Sequence, residues 1–293
     1  MAGTPSVLVV GESLTDIVVS ADGETRHPGG SPMNVAVGLS RLGVATRLLT
    51  RIGRDPDGDD IRAHLENAGV ALLPESVGDL PSSSARATIA ADGAAVYEFD
   101  IDWRLDGPQE LPPADWVHVG SVSTFLSPGA DTIERLLTSL GTATVVSYDP
   151  NIRAALVGDP DEARARFERI CRLADVVKLS DEDAAWLYPG REDLIELILT
   201  LGPRVVAMTR GAGGAVIATR NSTASMPAVP VRVADTIGAG DSFMAALIQQ
   251  LLSRDLSSLT EVDLTQAGAC AARAAAITCG RAGADPPFLS ELE

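Results

Sequence analysis

Asp235-Thr236-Ile237-Gly238-Ala239-Gly240-Asp241-Ser242-Phe243 sets three small residues, two of them glycine, directly before an aspartate. An amphipathic run follows: Phe243, Met244, Ala246, Leu247, Ile248 and Leu251. The spacing predicts a loop that enters a helix between Gly238 and Asp241. A helix start leaves its first N–H groups unpaired and carries partial positive charge, so it can hold an anion. Small residues let a phosphate approach those amides, and Asp241 then stands beside the anion, placed to take a proton from an attacking group. Anion hole plus carboxylate base points to phosphoryl transfer to a hydroxyl. The alternative is an ordinary turn, with Asp241 or Ser242 as helix cap.

Four further segments offer polar side chains or glycines where strands end. In Gly11-Glu12-Ser13-Leu14-Thr15-Asp16, Asp16 follows a strand and could accept hydrogen bonds from two neighbouring sugar hydroxyls, or lie in a surface turn. In Pro28-Gly29-Gly30-Ser31-Pro32-Met33-Asn34, the paired Gly29 and Gly30 allow a close backbone approach and Asn34 offers an amide; a glycine turn and helix cap read equally well. Arg153, in Asp149-Pro150-Asn151-Ile152-Arg153, could clamp a phosphate through its fork of donors or form a surface salt bridge. Thr209-Arg210-Gly211-Ala212-Gly213-Gly214 could be a phosphate loop or a glycine hairpin.

These segments need elements to hold them. Val7–Val10, Thr46–Leu49, Val117–Val119, Thr144–Ser147, Val176–Lys178 and Val205–Met208 read as buried strands. Helical patterns near 34–42, 59–68, 130–140, 161–173, 181–187 and 194–201 alternate with them, and Gly43 and Gly69 read as helix stops. The alternation predicts an α/β fold: a doubly wound, mostly parallel sheet with helices on both faces and ligands beyond the strands' carboxyl ends. The stretch 82–102 breaks the rhythm. Asp92-Gly93 between two β-like runs predicts a hairpin, either an edge extension or a lid that excludes water.

The 235–243 string meets every fixed position of the second signature of the ribokinase or phosphofructokinase-B family of sugar kinases, Asp-Thr-x-Gly-Ala-Gly-Asp-x-Phe. Gly29-Gly30 with Asn34, Ala36 and Leu42-Gly43 resembles that family's first signature, and the resemblance covers almost the whole chain. It implies a ribokinase-like fold, one sugar-kinase domain over 1–293, and a small β-sheet lid from about 12–20 and 82–104. It makes Asp241 the catalytic base and gives the anion hole to Gly238, Ala239 and Gly240. Sugar contacts fall to Asp16, Gly29, Gly30 and Asn34, with Arg153 on the substrate side. Nucleotide contacts fall to Ser180, Thr209, Gly211, Gly214 and Gly240. A monovalent-cation site, for potassium, falls around Asp235 and Ile237, and the region 270–284 lines the adenine pocket. ATP and Mg2+ are the implied cofactors. Many members carry Asn-x-x-Glu where this chain has Ser180 and Asp183, which leaves open whether that contact to magnesium is kept.

Gly-Glu-x-Leu-x-Asp and Asp-Pro-Asn-x-Arg look most like the fructokinase branch, implying D-fructose as substrate. The alternatives are 2-keto-3-deoxygluconate kinase, with Arg86, Tyr97 or Arg104 meeting the carboxylate, and a sugar-binding regulator that has lost catalysis.

Composition narrows the rest. A chain of 293 residues, 45% hydrophobic, can bury a large core. Net charge is −17, which opposes binding to nucleic acid. Lys178 is the only lysine and no Gly-x-x-x-x-Gly-Lys-Ser/Thr occurs, so a P-loop kinase is excluded in its usual form. No Gly-x-Gly-x-x-Gly follows the first strand, against a dinucleotide oxidoreductase. Three cysteines without Cys-x-x-Cys spacing, no membrane span and no basic leader predict a reduced, cytoplasmic setting. An exposed lid sheet could pair with a second lid to form a homodimer.

Overall fold

A computed structural model of the chain describes residues 5–20, 23–89, 95–105 and 111–293. The predicted Asp92-Gly93 turn and the side chain of Tyr97 lie outside the described residues.

The apolar runs form a nine-stranded sheet. Its members are β1 (Ser6–Val10), β4 (Ala45–Leu49), β5 (Ala71–Leu72), β8 (Trp116–Gly120), β9 (Val145–Asp149), β10 (Val176–Ser180), β11 (Val205–Thr209), β12 (Ala215–Ala218) and β13 (Thr223–Met226). The order is β13-β12-β11-β10-β9-β8-β1-β4-β5, parallel from β11 to β5, with β12 and β13 added antiparallel at one edge. The parallel strands are nearly continuous in Val, Leu and Ile because helices cover both faces. On one side α1 (Ser31–Arg41), α2 (Pro56–Asn67), α8 (Ala239–Leu251) and α9 (Glu261–Cys279) share a core with Val7, Val9, Trp116, Val176 and Val205. On the other, α3 (Gly129–Ser139), α5 (Pro160–Cys171), α6 (Asp181–Leu187) and α7 (Leu194–Leu201) pack on Leu8, Val10, Val119, Tyr148 and Leu179. A single turn, α4 (Ala154–Val157), follows Arg153.

Alternate residues of β8, β9 and β10 therefore divide between two cores. Trp116, His118, Ser147, Asp149, Val176 and Lys178 point towards the α1/α8 side, which decides where the polar ones can act.

The second sheet has four strands in the order β3-β2-β6-β7. It is built from two excursions of the chain: β2 (Leu14–Ser20) with β3 (Gly23–Gly29), and β6 (Ser83–Ile89) with β7 (Ala95–Asp100). The predicted hairpin is β6–β7, in register Arg86↔Glu98. β3 was not expected, since Gly-Glu-Thr-Arg-His-Pro-Gly has no apolar alternation; cross-strand pairing with β2 holds it extended. Helix α1 begins three residues before the expected Asn34, because Pro32 suits a first helical turn.

Candidate active site

Helix α8 starts inside the Gly-Ala-Gly-Asp string, as the spacing requires. Gly238 is its N-cap with φ of 74°, and a Cβ there would stand 2.6 Å from Ala284 Cβ, so only glycine is accommodated. The Ala239 N–H turns back to the Thr236 carbonyl at 3.3 Å, leaving the next amides at the open helix start. Asp241 is buried in the first turn. Ser31 Oγ donates to its Oδ1 at 2.7 Å and Asn34 Nδ2 to its Oδ2 at 2.8 Å. Both donors sit in the first turn of α1, so the starts of α1 and α8 meet on one carboxylate. Asn34, expected on the sugar, also grips the aspartate, and Ser31 is a partner that the residues alone did not signal.

Lys178 was also missed as a site residue. The parallel register of β9 and β10 sets it beside Asp149, and its Nζ donates to Asp149 Oδ2 at 2.8 Å in the interior. A Cβ built on Gly240 would lie 3.0 Å from that Nζ, so the ammonium borders the α8 start. Burial pushes the Asp149 carboxyl up to about 6 against the pull of Lys178. Burial alone would lower Lys178, but the charges of Asp149, Asp183 and Asp241 hold it above the ordinary lysine value. Asp149 Oδ1 is buried with no hydrogen-bond partner. The signal in the sequence was a sole lysine at the carboxyl end of a strand.

Asp183 has both oxygens engaged. Oδ1 accepts from Ile152 N (2.7 Å), and Oδ2 from Ser180 N (2.9 Å) and Ser180 Oγ (2.7 Å). Ser180 and Asp183 form the capping box of α6, so the departure from Asn-x-x-Glu serves the helix start and ties it to the Asp149–Arg153 loop. That loop carries Asn151 at φ of 36°, an uncommon conformation for a residue with a Cβ.

Asp16 lies on β2, opposite His27 of β3. Burial raises its carboxyl to about 6, and the charges of Arg153 and His27 pull it back, which puts Arg153 and Asp16 in one neighbourhood. A Cβ on Gly29 would fall 2.1 Å from Asp16 Oδ2, so glycine makes room for the carboxylate. Gly30 is the N-cap of α1. Beneath it, Glu12 is fully enclosed, accepts from Ser123 N at 3.1 Å, and is pushed up to about 7 by burial. Arg86 sits in register with Ile17 and so points away from the Asp16 face. It pairs with Glu24, and Arg104 pairs with Asp102.

On the nucleotide side, Ser180 and Thr209 are register partners at the carboxyl ends of β10 and β11. Gly211 opens onto free space, while Arg210 N–H donates to Gly214 O at 2.8 Å and closes a tight turn into β12. Asp235 accepts from Ile237 N (3.0 Å) and Gly283 N (3.0 Å), which ties the loop before α8 to the segment after α9. Among the described residues, no three His, Cys, Asp or Glu side chains gather into a metal cluster. No helix among the described residues is long and apolar enough to cross a membrane.

Comparison with known proteins agrees with this geometry. Residues 5–291 match the profile of the pfkB family carbohydrate kinases. A fructokinase of Klebsiella pneumoniae is 33% identical over 288 residues, covering 92% of each chain. A double-mutant fructokinase of Vibrio cholerae O395, solved with fructose, ADP and potassium, superimposes with a TM-score of 0.82 at 25% identity, over 99% of this chain and 95% of that one. An uncharacterised sugar kinase of Pyrococcus horikoshii in complex with ATP gives a TM-score of 0.80 at 26% identity, over 97% and 96%. The fold is ribokinase-like, and the chain belongs to the pfkB family of carbohydrate kinases.

Proposed function

We propose that the protein transfers the γ-phosphoryl group of ATP to the 6-hydroxyl of D-fructose. One observation carries the reading: Asp241 stands where the phosphate-binding start of α8 meets the first turn of α1, which follows directly on Gly29 and Gly30 beside Asp16. A hydroxyl held by Asp16 and the α1 start attacks Pγ as its proton passes to Asp241. The new O–Pγ bond forms while the bond from Pγ to the β,γ-bridging oxygen breaks, and ADP leaves. The amides at Gly238–Gly240 receive the charge that builds on the transferring group.

Mg2+ bound to the triphosphate would supply charge neutralisation, and Asp149, whose buried Oδ1 has no hydrogen-bond partner, is the carboxylate that would help to hold it. Asp235 and the loop through Ile237 would border a potassium ion, as the potassium in the Vibrio cholerae fructokinase structure suggests. Ser180, Thr209, Gly211 and Gly214 would line the nucleotide, and Arg153 the substrate's phosphate side. The four-stranded sheet would close over the sugar as a lid, and a second such sheet is its candidate partner.

D-fructose is favoured over 2-keto-3-deoxygluconate for a specific reason. A buried carboxylate needs a cation; Arg86 faces away from Asp16 onto Glu24, Arg104 is engaged by Asp102, and Arg153, the cation near Asp16, already offsets the charge of that carboxylate. The curated fructokinase relatives support the same choice. A non-catalytic regulator would have no need of the base held by Ser31 and Asn34. A panel of D-fructose, ribose, adenosine, tagatose 6-phosphate and 2-keto-3-deoxygluconate, assayed for ATP-dependent phosphorylation, tests the assignment. D-fructose should give the highest kcat/KM. A clear preference for 2-keto-3-deoxygluconate, lost on changing Arg86 or Arg104, would replace it while leaving the kinase chemistry intact.

A further inference from the structure

The site described so far is crowded with negative charge. Asp149, Asp183 and Asp241 all act on one ammonium, the largely buried Asp16 adds a fourth carboxylate on the sugar side, and the whole chain carries −17. A triphosphate entering this space meets carboxylates at close range, where repulsion in a water-poor site is strong. The α8 start offers amides, but one of them, Ala239 N–H, is already turned to Thr236 O. Lys178 is the cation that lies inside this cluster.

Its placement is hard to explain by stability alone. A buried ion pair can often be replaced by apolar residues of similar size without loss of stability, because removing two charges from water is costly. Here the chain commits its only lysine to such a pair. Of the three donors on an ammonium, one goes to Asp149 Oδ2 at 2.8 Å. The space a side chain at 240 would fill, 3.0 Å from Nζ, is kept empty by glycine. A phosphate oxygen seated against the Gly240 amide would lie within reach of the remaining donors.

Resting on the kinase reading above, we propose that Lys178 is a catalytic residue whose ammonium contacts the transferring phosphoryl group, and that Asp149 is the positioning residue that holds it there. As the bond from Pγ to the β,γ-bridging oxygen breaks, negative charge shifts onto oxygens beside Nζ. A fixed cation stabilises that arrangement more than the ground state. Lys178 gives up no proton in the step; the hydroxyl proton goes to Asp241.

The test compares the unmodified enzyme with Lys178→Met and Lys178→Arg, and with the double variant Lys178→Met/Asp149→Leu in case the single change leaves Asp149 too poorly accommodated to fold. Turnover of D-fructose by Lys178→Met should fall about 10²–10³-fold, the range for loss of one transition-state donor, with KM for the sugar little changed. Lys178→Arg should recover part of the loss. MgADP should bind Lys178→Met nearly as it binds the unmodified enzyme. Aluminium fluoride, which mimics the transferring phosphoryl group, should tighten ADP binding to the unmodified enzyme and fail to do so in the variant. The double variant should melt close to the unmodified enzyme and turn over no faster than Lys178→Met.

A folded Lys178→Met or double variant that turns over within about tenfold of the unmodified enzyme, well short of that range, would overturn the proposal. Fluoride-dependent tightening that survives the substitution would do the same. If the unmodified enzyme phosphorylates no sugar in the panel, the kinase reading fails instead, and the fluoride arm still reports on Lys178.

Discussion

Around the start of α8, buried or part-buried groups are fixed by short contacts: Ser31 and Asn34 on the Asp241 carboxylate, Lys178 on Asp149, and Ala284 against Gly238. The small sheet is tied down differently. Arg26 reaches Asp57 of α2 and Glu24 of its own strand, and Arg86 reaches the same Glu24, all at least partly open to solvent. Exposed pairs of this kind contribute little and yield easily. On the proposed reading, the phosphate half is thus preorganised, and a small sheet latched by exposed pairs would be free to move as a lid. A kinase needs both, since the anion site must be rigid while the cover must open to admit substrate.

Substitutions on the two sides should therefore differ in kind. Asp241→Asn should keep the fold and nucleotide binding while kcat falls about 10²–10⁴-fold, the usual range for a general base; near-normal turnover would remove Asp241 from the mechanism. Gly240→Val should lower kcat about 10²–10³-fold by crowding the amides and Lys178 Nζ. Its melting temperature should change little, because the displaced neighbour is the end of a long side chain. If activity survives, the loop is a structural turn.

Glu12, beneath the sugar site, gives a stability effect set by pH. Its carboxyl is raised from an ordinary 4.5 to about 7, so the folded chain keeps a proton that the unfolded chain releases. Folding stability from this group therefore falls as pH rises from 4.5 to about 7, then levels off. Glu12→Gln removes that loss. In urea unfolding, the stability of the variant relative to the parent should rise by about 2–3 kcal/mol between pH 5 and pH 8. A difference independent of pH would show that Glu12 titrates normally.

On the sugar side, Gly29→Ala forces the Asp16 carboxylate from its position. KM for D-fructose should rise about tenfold, in line with one weakened charged hydrogen bond, and kcat should change less. An unaltered KM would place the sugar away from Asp16. Arg26→Ala, at the exposed latch, should cost below about 1 kcal/mol of stability and show salt sensitivity. A larger loss would mean that the small sheet is held as firmly as the phosphate half.

What could be read from the residues alone follows the same division. The parallel strands were legible because burial on both faces writes them as short apolar runs, and the α8 start because its small residues precede a charged one. β3 was not legible, since its strand character comes from pairing with β2 and not from its own side chains. Nor was the bond from Asn34 to Asp241, since the sequence reads Asn34 either as a sugar contact or as part of a glycine turn and helix cap; it appears only where two helix starts meet. Lys178 was read by the motif it lacks and not by the strand end it occupies. The capping box of Ser180 and Asp183 was not read from the sequence, which left the magnesium contact open; it shows in the bonds from Ile152 and Ser180.

The central claim is that a sugar hydroxyl attacks ATP at the junction of α1 and α8. Phosphorus NMR of the unmodified enzyme with MgATP and D-fructose tests it most directly. The account predicts loss of the γ-phosphate signal matched one for one by a new phosphate ester, coupled to the protons on C6 of fructose. ATP consumed to free phosphate without an ester, or an ester formed elsewhere on the sugar, would contradict it.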